Sequence, residues 1–324
     1  MKIAFFDIGD EDVSYFKKIF PKDNLAFFKF PLTSDSILLK KDFEVISVRI
    51  YSKLTAKVLS KFPKLKFITA RTTGFDNVDL SYCKERGIIV SNVPAYGDNT
   101  VAEHTFAILL ALIKQIPKSI DFARRESFNF KDIIGSDLYG KTLGVMGTGK
   151  IGSNVVRIAR GFGMKVVCYD LFKNEKVTKD YGASYVSFDQ LLETSDIISL
   201  HLPLNKGTAH LIDEVVIKKM KKGAIVVNTG RGGLINTVDL AKAIENNYLA
   251  GAALDVFECE TYKGEVPESK ELALAQEFLF SSDRVIATPH NAFNTHEAYG
   301  RILDTTAQNI KAFTENKPIN IVSS

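Results

Sequence analysis

The hexapeptide Gly147-Thr148-Gly149-Lys150-Ile151-Gly152 constrains this chain more than any other feature, because of what flanks it. The apolar run Leu143–Met146 leads into it, and residues 151–162 read as a helix that it opens. Alone, G-x-G-x-x-G is a weak pattern. Between a strand and a helix, its glycines permit a tight turn and the close approach of a pyrophosphate to the helix N-terminus. The next apolar run, Val166–Tyr169, is followed by Asp170, whose carboxylate can accept hydrogen bonds from both hydroxyls of an adenosine ribose. The bland alternative is a glycine-rich turn in an unliganded α/β domain. Three agreeing features favour a dinucleotide. Asp170 further favours NAD over NADP, since a 2′-phosphate beside it would meet a repulsion of roughly several kcal/mol at an effective dielectric near 20. Lys173, which could soften that repulsion, stands three residues beyond the carboxylate.

The position of the turn matters as much as its pattern. Residues 1–142 precede it, enough for a complete α/β domain. Strand and helix signals alternate from the start. Ile3–Phe6 is followed by a helical stretch from Asp10 to Phe20. Val45–Val48 and Leu65–Thr69 read as buried strands, and Asp79 to Arg86 as a helix stopped by Gly87, with Ile88–Val90 after it. Residues 101–116 form a long apolar helix broken by Pro117, and a less regular stretch rich in charge and phenylalanine runs to Tyr139. After the glycine turn come strands at Ile197–Leu200, Ala224–Asn228, Ala250–Leu254 and Val285–Ala287, with a helix at 237–247. Asn294 and Glu297 are spaced as a capping box for a last helix reaching about Phe313. The fold class is therefore α/β, with two Rossmann-like or flavodoxin-like parallel-sheet domains and a cleft between them. The expected division is residues 1–99 as the substrate-binding domain, completed by 291–324, with 100–290 inserted as the NAD-binding domain.

Composition excludes several classes. With 45% apolar and 25% charged residues among 324, the chain is ordinarily globular. A net charge of +4 without a long basic block argues against nucleic acid. The apolar stretch Thr105 to Ile113 is too short to span a bilayer, and the N-terminus is too briefly apolar for a signal peptide. Cys83, Cys168 and Cys259 lack paired or metal-type spacing, so no metal is expected; Cys83 and Cys168 read as core fillers. A cytoplasmic location follows.

Downstream stand the groups that hydride transfer to a keto acid would need. Arg231, in Asn228-Thr229-Gly230-Arg231-Gly232, lies just past a strand's carboxyl end, where a guanidinium can clamp a carboxylate and polarise the adjacent keto oxygen. His290, in Thr288-Pro289-His290-Asn291-Ala292, can donate a proton to the oxygen that becomes the hydroxyl. Glu260, in Leu254-Asp255-Val256-Phe257-Glu258-Cys259-Glu260, offers an anion to hold the imidazolium, and Glu258 competes for that role.

At these residues the chain resembles the D-isomer-specific 2-hydroxyacid dehydrogenase family. The resemblance runs through Gly140-Lys141-Thr142-Leu143-Gly144, the glycine turn, His201-Leu202-Pro203 and the Arg231, Asp255 and His290 motifs, covering essentially the whole chain. Asn92-Val93-Pro94-Ala95-Tyr96 and Val101-Ala102-Glu103-His104 make it most similar to the D-lactate dehydrogenase branch. The segment from Thr261 to Ser282 is longer than the link common in the wider family, though the lactate branch is similar there. The resemblance implies Arg231, Glu260 and His290 as catalytic residues, with Glu260 preferred to Glu258 because the family's acid stands five residues after the aspartate. It implies cofactor contacts from Gly147, Thr148, Gly149, Lys150, Ile151, Gly152, Asp170, His201, Pro203, Thr229, Gly230 and Asp255, the last holding the nicotinamide carboxamide. Thr73 and Gly74 would receive the substrate carboxylate on their amides, Tyr96 would stand near it, and Phe293 near the substrate side chain. A homodimer acting on a small 2-keto or 2-hydroxy acid is implied as well.

Blander roles remain open at this point. His104 reads as a satisfied interface histidine, His210 as structural and His296 as part of a helix's first turn. Tyr96 could cap a loop and Phe293 could be core; Tyr51 and Arg49 could reach the substrate. An NAD(H)-sensing protein is the competing reading, because transcriptional corepressors resemble the same family. Against it, the chain has no basic nuclear signal and no disordered tail. A formate-oxidising member is disfavoured, since formate loses hydride without a hydroxyl proton leaving and would give Glu260 and His290 no task.

Overall fold

Phenylalanines knit the first sheet together. Phe5 and Phe6 at the end of β1 (Lys2–Phe6) pair in register with Phe27 and Phe28 of β2 (Asn24–Phe28), their rings stacked at 5.3 and 4.7 Å. Between the two strands runs α1 (Asp10–Ile19), which carries acids in its first turn and lysines in its last, as the helix dipole favours. The chain continues through β3 (Val45–Val48), α2 (Ala56–Leu59), β4 (Phe67–Ala70), α3 (Leu80–Glu85) and β5 (Ile89–Ser91). Every residue of β3 and β4 is buried, which apolar strands require when both faces of a parallel sheet are covered. The sheet order is β2-β1-β3-β4-β5, parallel at each pairing. These elements come from a computed structural model that describes residues 1–36, 42–125, 130–260 and 269–322. Two compact units result, one of Met1–Tyr96 with Thr295–Ser324, the other of Gly97–Asn294.

The second unit opens on α4 (Asp98–Ile113), whose inner face of Ala102, Phe106, Leu109 and Ile113 is buried. It starts three residues earlier than the apolar pattern indicated. Pro117 does not simply break it: Gln115 takes a left-handed conformation, and Pro117 sits in the first turn of α5 (Ile116–Arg124), where its missing N–H costs nothing. The stretch expected to be irregular thus begins with a helix; residues 126–129 within it lie outside the described residues. Then follow β6 (Thr142–Met146), α6 (Lys150–Gly161), β7 (Lys165–Tyr169), α7 (Glu175–Lys179), β8 (Ser184–Tyr185), α8 (Phe188–Thr194), β9 (Ile197–Leu200), α9 (Glu214–Ile217), β10 (Ile225–Asn228), α10 (Thr237–Glu245), β11 (Gly251–Leu254), α11 (Lys270–Ser281) and β12 (Val285–Ala287). Residues 261–268 of the long link lie outside the described residues, and α11 forms the rest of it. Seven strands form one parallel sheet in the order β12-β11-β10-β9-β6-β7-β8.

The last helix, α12 (His296–Thr314), belongs to the first unit. Phe313 stacks on Phe67 at 4.5 Å, and buried Asn309 donates to the Asn92 carbonyl at 2.8 Å. Its N-cap is Thr295, which accepts from the Ala298 amide; the capping box of Asn294 and Glu297 does not form, because Thr295 takes the cap one residue later. No helix among the described residues is long and apolar enough to cross a membrane.

Candidate active site

In the second unit, strand register does the first part of the work. Tyr169 pairs with Met146, Met146 with Leu200, Leu200 with Asn228, Asn228 with Leu254 and Leu254 with Ala287. Six strands therefore end in line, and the residues that follow them emerge along one edge: Asp170, Gly147, His201, Thr229, Asp255 and Thr288. The strand order reverses between β6 and β9, and the carboxyl ends at such a reversal form the ligand crevice of open α/β sheets.

Each glycine of the turn has its own physical reason. Gly147 has φ of +92°, and a Cβ there would come 2.4 Å from the His201 carbonyl oxygen. A Cβ on Gly152 would lie 1.9 Å from the Gly147 oxygen, so only glycine lets α6 start so close to the strand. Gly149 differs: a Cβ there would meet nothing within 4 Å. It is also the N-cap of α6 and supplies no side-chain cap, leaving the first-turn amides without a capping acceptor. An open glycine N-terminus fits a pyrophosphate.

The flanks of this turn are held by side chains. Asp170 accepts from the Thr148 amide at 2.6 Å, the Thr148 hydroxyl at 3.0 Å and the Phe172 amide at 3.0 Å. Tyr185 and Asn174, which carry no pattern that singles them out, complete the collar. Tyr185 hydroxyl lies 2.7 Å from Thr148 Oγ1, and Asn174 Nδ2 donates to the Thr148 carbonyl at 3.1 Å. Lys150 is exposed and Ile151 half-buried at the start of α6. His201 Nε2 meets Ser199 Oγ at 2.8 Å, and burial pushes its imidazole down to about 3, so it is neutral at physiological pH. Pro203 beyond it is exposed. Thr229 is buried with its hydroxyl 2.9 Å from that of Thr105 in α4, and the Gly230 amide donates to Asn228 Oδ1 at 3.0 Å.

At the other end of the edge, Glu260 Oε2 lies 2.5 Å from His290 Nδ1. Glu260 Oε1 also accepts from the Phe257 amide at 3.1 Å, which fixes the carboxylate. The two candidate glutamates go separate ways: Glu258 Oε1 meets His210 Nε2 at 2.6 Å and its other oxygen accepts from the Thr237 amide. Arg231 follows β10, half-buried, with Nη1 donating to the Gly230 carbonyl at 2.8 Å. Gly232 next to it packs so closely on Phe257 that a Cβ would fall 1.9 Å from the carbonyl carbon and oxygen.

Asp255 is fully buried. Burial alone would push its carboxyl up, but hydrogen bonds from His104, Thr288, Ala292 and Asn291 outweigh that and hold it below the usual carboxylate range. Its oxygens accept from Thr288 Oγ1 at 2.5 Å and from the amides of Asn291 and Ala292 at 3.0 and 2.9 Å. The Asp255 carbonyl also takes the His290 amide at 2.8 Å, with His290 at φ of +53°. Asp255 thus shapes the loop that carries His290, a role its sequence position did not disclose. His104 joins the same network, its Nε2 lying 3.1 Å from Thr288 Oγ1. Phe293, at the end of that loop, is half-buried.

The remaining candidates lie in the first unit. Thr73 is exposed, its hydroxyl donating to the Val93 carbonyl, while Thr72 donates to the Gly74 carbonyl. Among the described residues no acceptor takes the Thr73 or Gly74 amide, which leaves two adjacent N–H groups for an anion. Tyr96 is half-buried, and its carbonyl accepts from Arg301 at 2.7 Å. Cys83 and Cys168 are buried, and burial pushes their thiols up to about 11 and about 12, which suits inert core residues.

The glycine geometry separates folding from binding. Gly152→Ala should lower the melting temperature, because its methyl would overlap backbone. Gly149→Ala should melt within about 2 °C of the parent yet bind NADH at least about tenfold more weakly, in line with a methyl placed where phosphate must approach. Thermal scans beside NADH fluorescence titrations check both; equal NADH affinity for Gly149→Ala and the parent would remove the phosphate from this turn.

A model of the family described as D-isomer specific 2-hydroxyacid dehydrogenase, NAD binding domain, matches residues 106–292. A 2-hydroxyacid dehydrogenase homolog of Haemophilus influenzae is 37% identical, the alignment covering 98% of this chain and 97% of that protein. A glyoxylate reductase of Thermococcus litoralis is also 37% identical, over 89% of this chain and 86% of its own length. Among solved structures, the D-lactate dehydrogenase of Aquifex aeolicus complexed with NAD and lactic acid is similar with a TM-score of 0.89 and 38% identity, covering 97% of this chain and 96% of that one. The family match runs from within α4 to the loop after β12, and the relatives extend it to nearly the full length, so this chain belongs to the D-isomer-specific 2-hydroxyacid dehydrogenases and its second unit is their NAD-binding domain.

Proposed function

We propose that the chain reversibly reduces a small 2-keto acid with a pyruvate-type reacting end to the D-2-hydroxy acid, NADH becoming NAD⁺. The observation that carries this reading is the Glu260–His290 pair at 2.5 Å on the edge that also bears the glycine turn and Arg231. NADH, when bound, supplies the hydride. Arg231 clamps the substrate carboxylate and polarises the keto oxygen, and the Thr73 and Gly74 amides receive the same carboxylate. His290, its Nδ1 engaged by Glu260, gives a proton from Nε2 to the oxygen as it becomes a hydroxyl, and takes it back in oxidation. Asp170 receives the adenosine ribose, and Asp255 holds the His290 loop in place. Tyr96 and Phe293 border the substrate.

Pyruvate and glyoxylate, 2-keto acids differing only beyond the reacting end, belong in the first assay with NADH, followed by phenylpyruvate, hydroxypyruvate and branched acids. Turnover of at least one, with NADPH poorer than NADH by at least about two orders of magnitude from the charge on Asp170, is the expected outcome. Tight NADH binding without turnover of any keto acid would replace this reading by that of a sensor.

The acid–base pair makes a sharper forecast. Glu260→Gln keeps the shape and removes the anion beside the ring. Without it the ring loses the partner that engages Nδ1 and balances the imidazolium, so kcat should fall by about tenfold or more in both directions while NADH binding stays near the parent's. Glu258→Gln should leave turnover near the parent's, since Glu258 faces His210. Loss of turnover in Glu258→Gln alone would reverse the assignment of the two glutamates.

A homodimer is part of the proposal. None of the residues of α5 is buried, and Ile116, Ile120, Phe130, Ile134 and Tyr139 are exposed on the second unit, with Ile134 and Tyr139 77% and 81% exposed. Single exposed apolar residues are ordinary; five within one short stretch mark a covered surface. Light scattering should give twice the chain mass of 36.0 kDa, and Ile134→Lys with Tyr139→Lys should shift it towards monomer. Monomer in the parent protein would refute the dimer. The buried, unbridged thiols of Cys83 and Cys168 go with a cytoplasmic setting.

A further inference from the structure

The first unit has its own strand-end edge, and it is charged. Asp7 follows β1, Arg49 follows β3 and Arg71 follows β4. Arg71 is fully buried and both its terminal nitrogens are committed, Nε alone lacking a partner: Nη1 donates to Ser47 Oγ at 2.8 Å and Nη2 to the carbonyls of Phe6 and Asp7 at 2.5 and 2.8 Å. Asp12 is committed too, accepting from the Tyr299 hydroxyl at 2.6 Å.

Arg49 is different. Its guanidinium carbon lies 4.8 Å from the centre of the Tyr299 ring, a cation–π contact. Among the described residues the guanidinium makes no hydrogen bond and no ion pair within 4 Å, and its Nη2 is buried without a partner. Asp7 is an acid that feels its charge. Burial pushes the Asp7 carboxyl up more strongly than Arg49 and Arg71 pull it down, which weakens it as a counter-charge. A buried charged donor left unmatched is costly, and an anionic oxygen is what would match it.

Arg49 also has a fixed relation to the loop assigned to the substrate carboxylate. Its carbonyl accepts from Asn77 Nδ2 at 3.1 Å, and Asn77 stands just after Thr73 and Gly74. The strands before the two sites, β3 and β4, are neighbours in register. We propose that Arg49 is a specificity-determining residue that binds a second anionic group on the substrate, so that the preferred 2-keto acids are dicarboxylic. This rests on the proposed keto-acid reductase activity and assigns the far end of its substrate.

The test compares acids of one chain length. With NADH in excess, kcat/KM is measured for 2-oxoglutarate and for 2-oxopentanoate, which lacks the second carboxylate, in the parent, in Arg49→Leu and in Arg49→Lys. The parent should favour the dicarboxylic acid by about tenfold or more. Arg49→Leu should collapse that ratio at least tenfold, and Arg49→Lys should retain part of it, since the charge stays and the fork is lost. A ratio taken within one preparation is unaffected by a partly folded variant, because both rates scale alike. A parent that turns over 2-oxopentanoate or pyruvate but gains nothing from the second carboxylate would overturn the role of Arg49 and leave the reductase reading standing. A ratio unchanged in Arg49→Leu would do the same. No turnover of any keto acid would remove both.

Discussion

Everything in the second unit depends on one constraint, the common ending of six parallel strands. Hydrogen-bond register forces Tyr169, Met146, Leu200, Asn228, Leu254 and Ala287 into line, so six otherwise unrelated loops must leave the sheet side by side. The order of those loops in space then follows from sheet order rather than chain order. Asp170 stands at one end, the glycine turn next, then His201, Arg231, Asp255 and His290. A long two-ended ligand with an adenosine at one extremity and a reacting ring at the other has the shape of this edge. Nothing about the single residues would have required that.

Backbone crowding is what this arrangement costs, and the glycines carry it. Of four places where a Cβ would lie within 2.4 Å of backbone, three, Gly147, Gly152 and Gly232, follow strands that end at this edge, and the fourth, Gly251, opens β11 at its other end. Gly149, with nothing around it, is the exception that faces outward. Glycine is used here for two opposite reasons, to let backbone touch backbone and to leave room for something that is not protein. The pattern G-x-G-x-x-G does not separate them, whereas the geometry does.

The legible parts of this chain were those with a local signal. Strands β3, β9 and β10 stand out as short apolar runs because both of their faces are covered, and α6 stands out because the glycine turn opens it. Edge strand β2 was not legible: its residues are exposed or half-buried, and what places it is Phe27 and Phe28 meeting Phe5 and Phe6 from another strand. The short helices α7, α8 and α9 were missed because they have too few turns for a period to show, and their caps at Asn174, Ser187 and Asp213 act only once the chain is in place. At the site, residue types near strand ends pointed to Arg231, Glu260 and His290, but the collar of Tyr185 and Asn174 around Thr148 depends on contacts across the sheet that carry no sequence pattern.

Asp255 shows how far a residue's chemistry depends on its surroundings. As a carboxylate at a strand end it looks like a ligand-binding group. In the folded chain its oxygens are taken up by Thr288, His104 and two amides of the segment 291–292, and its own carbonyl receives the amide of His290. A buried charge survives only when so satisfied, and the same bonds that satisfy it hold His290 at φ of +53°, a conformation a histidine rarely takes unaided. The pair with Glu260 can form because that loop is already held. Glu260 is itself fixed by the Phe257 amide, and Phe257 by the close approach of Gly232, the residue after Arg231. Arg231, Glu260 and His290 are thus tied together through backbone on three adjacent strands. A substitution that loosened any one tie would misplace groups that never touch the altered residue, which is why the geometry of this edge behaves as a unit.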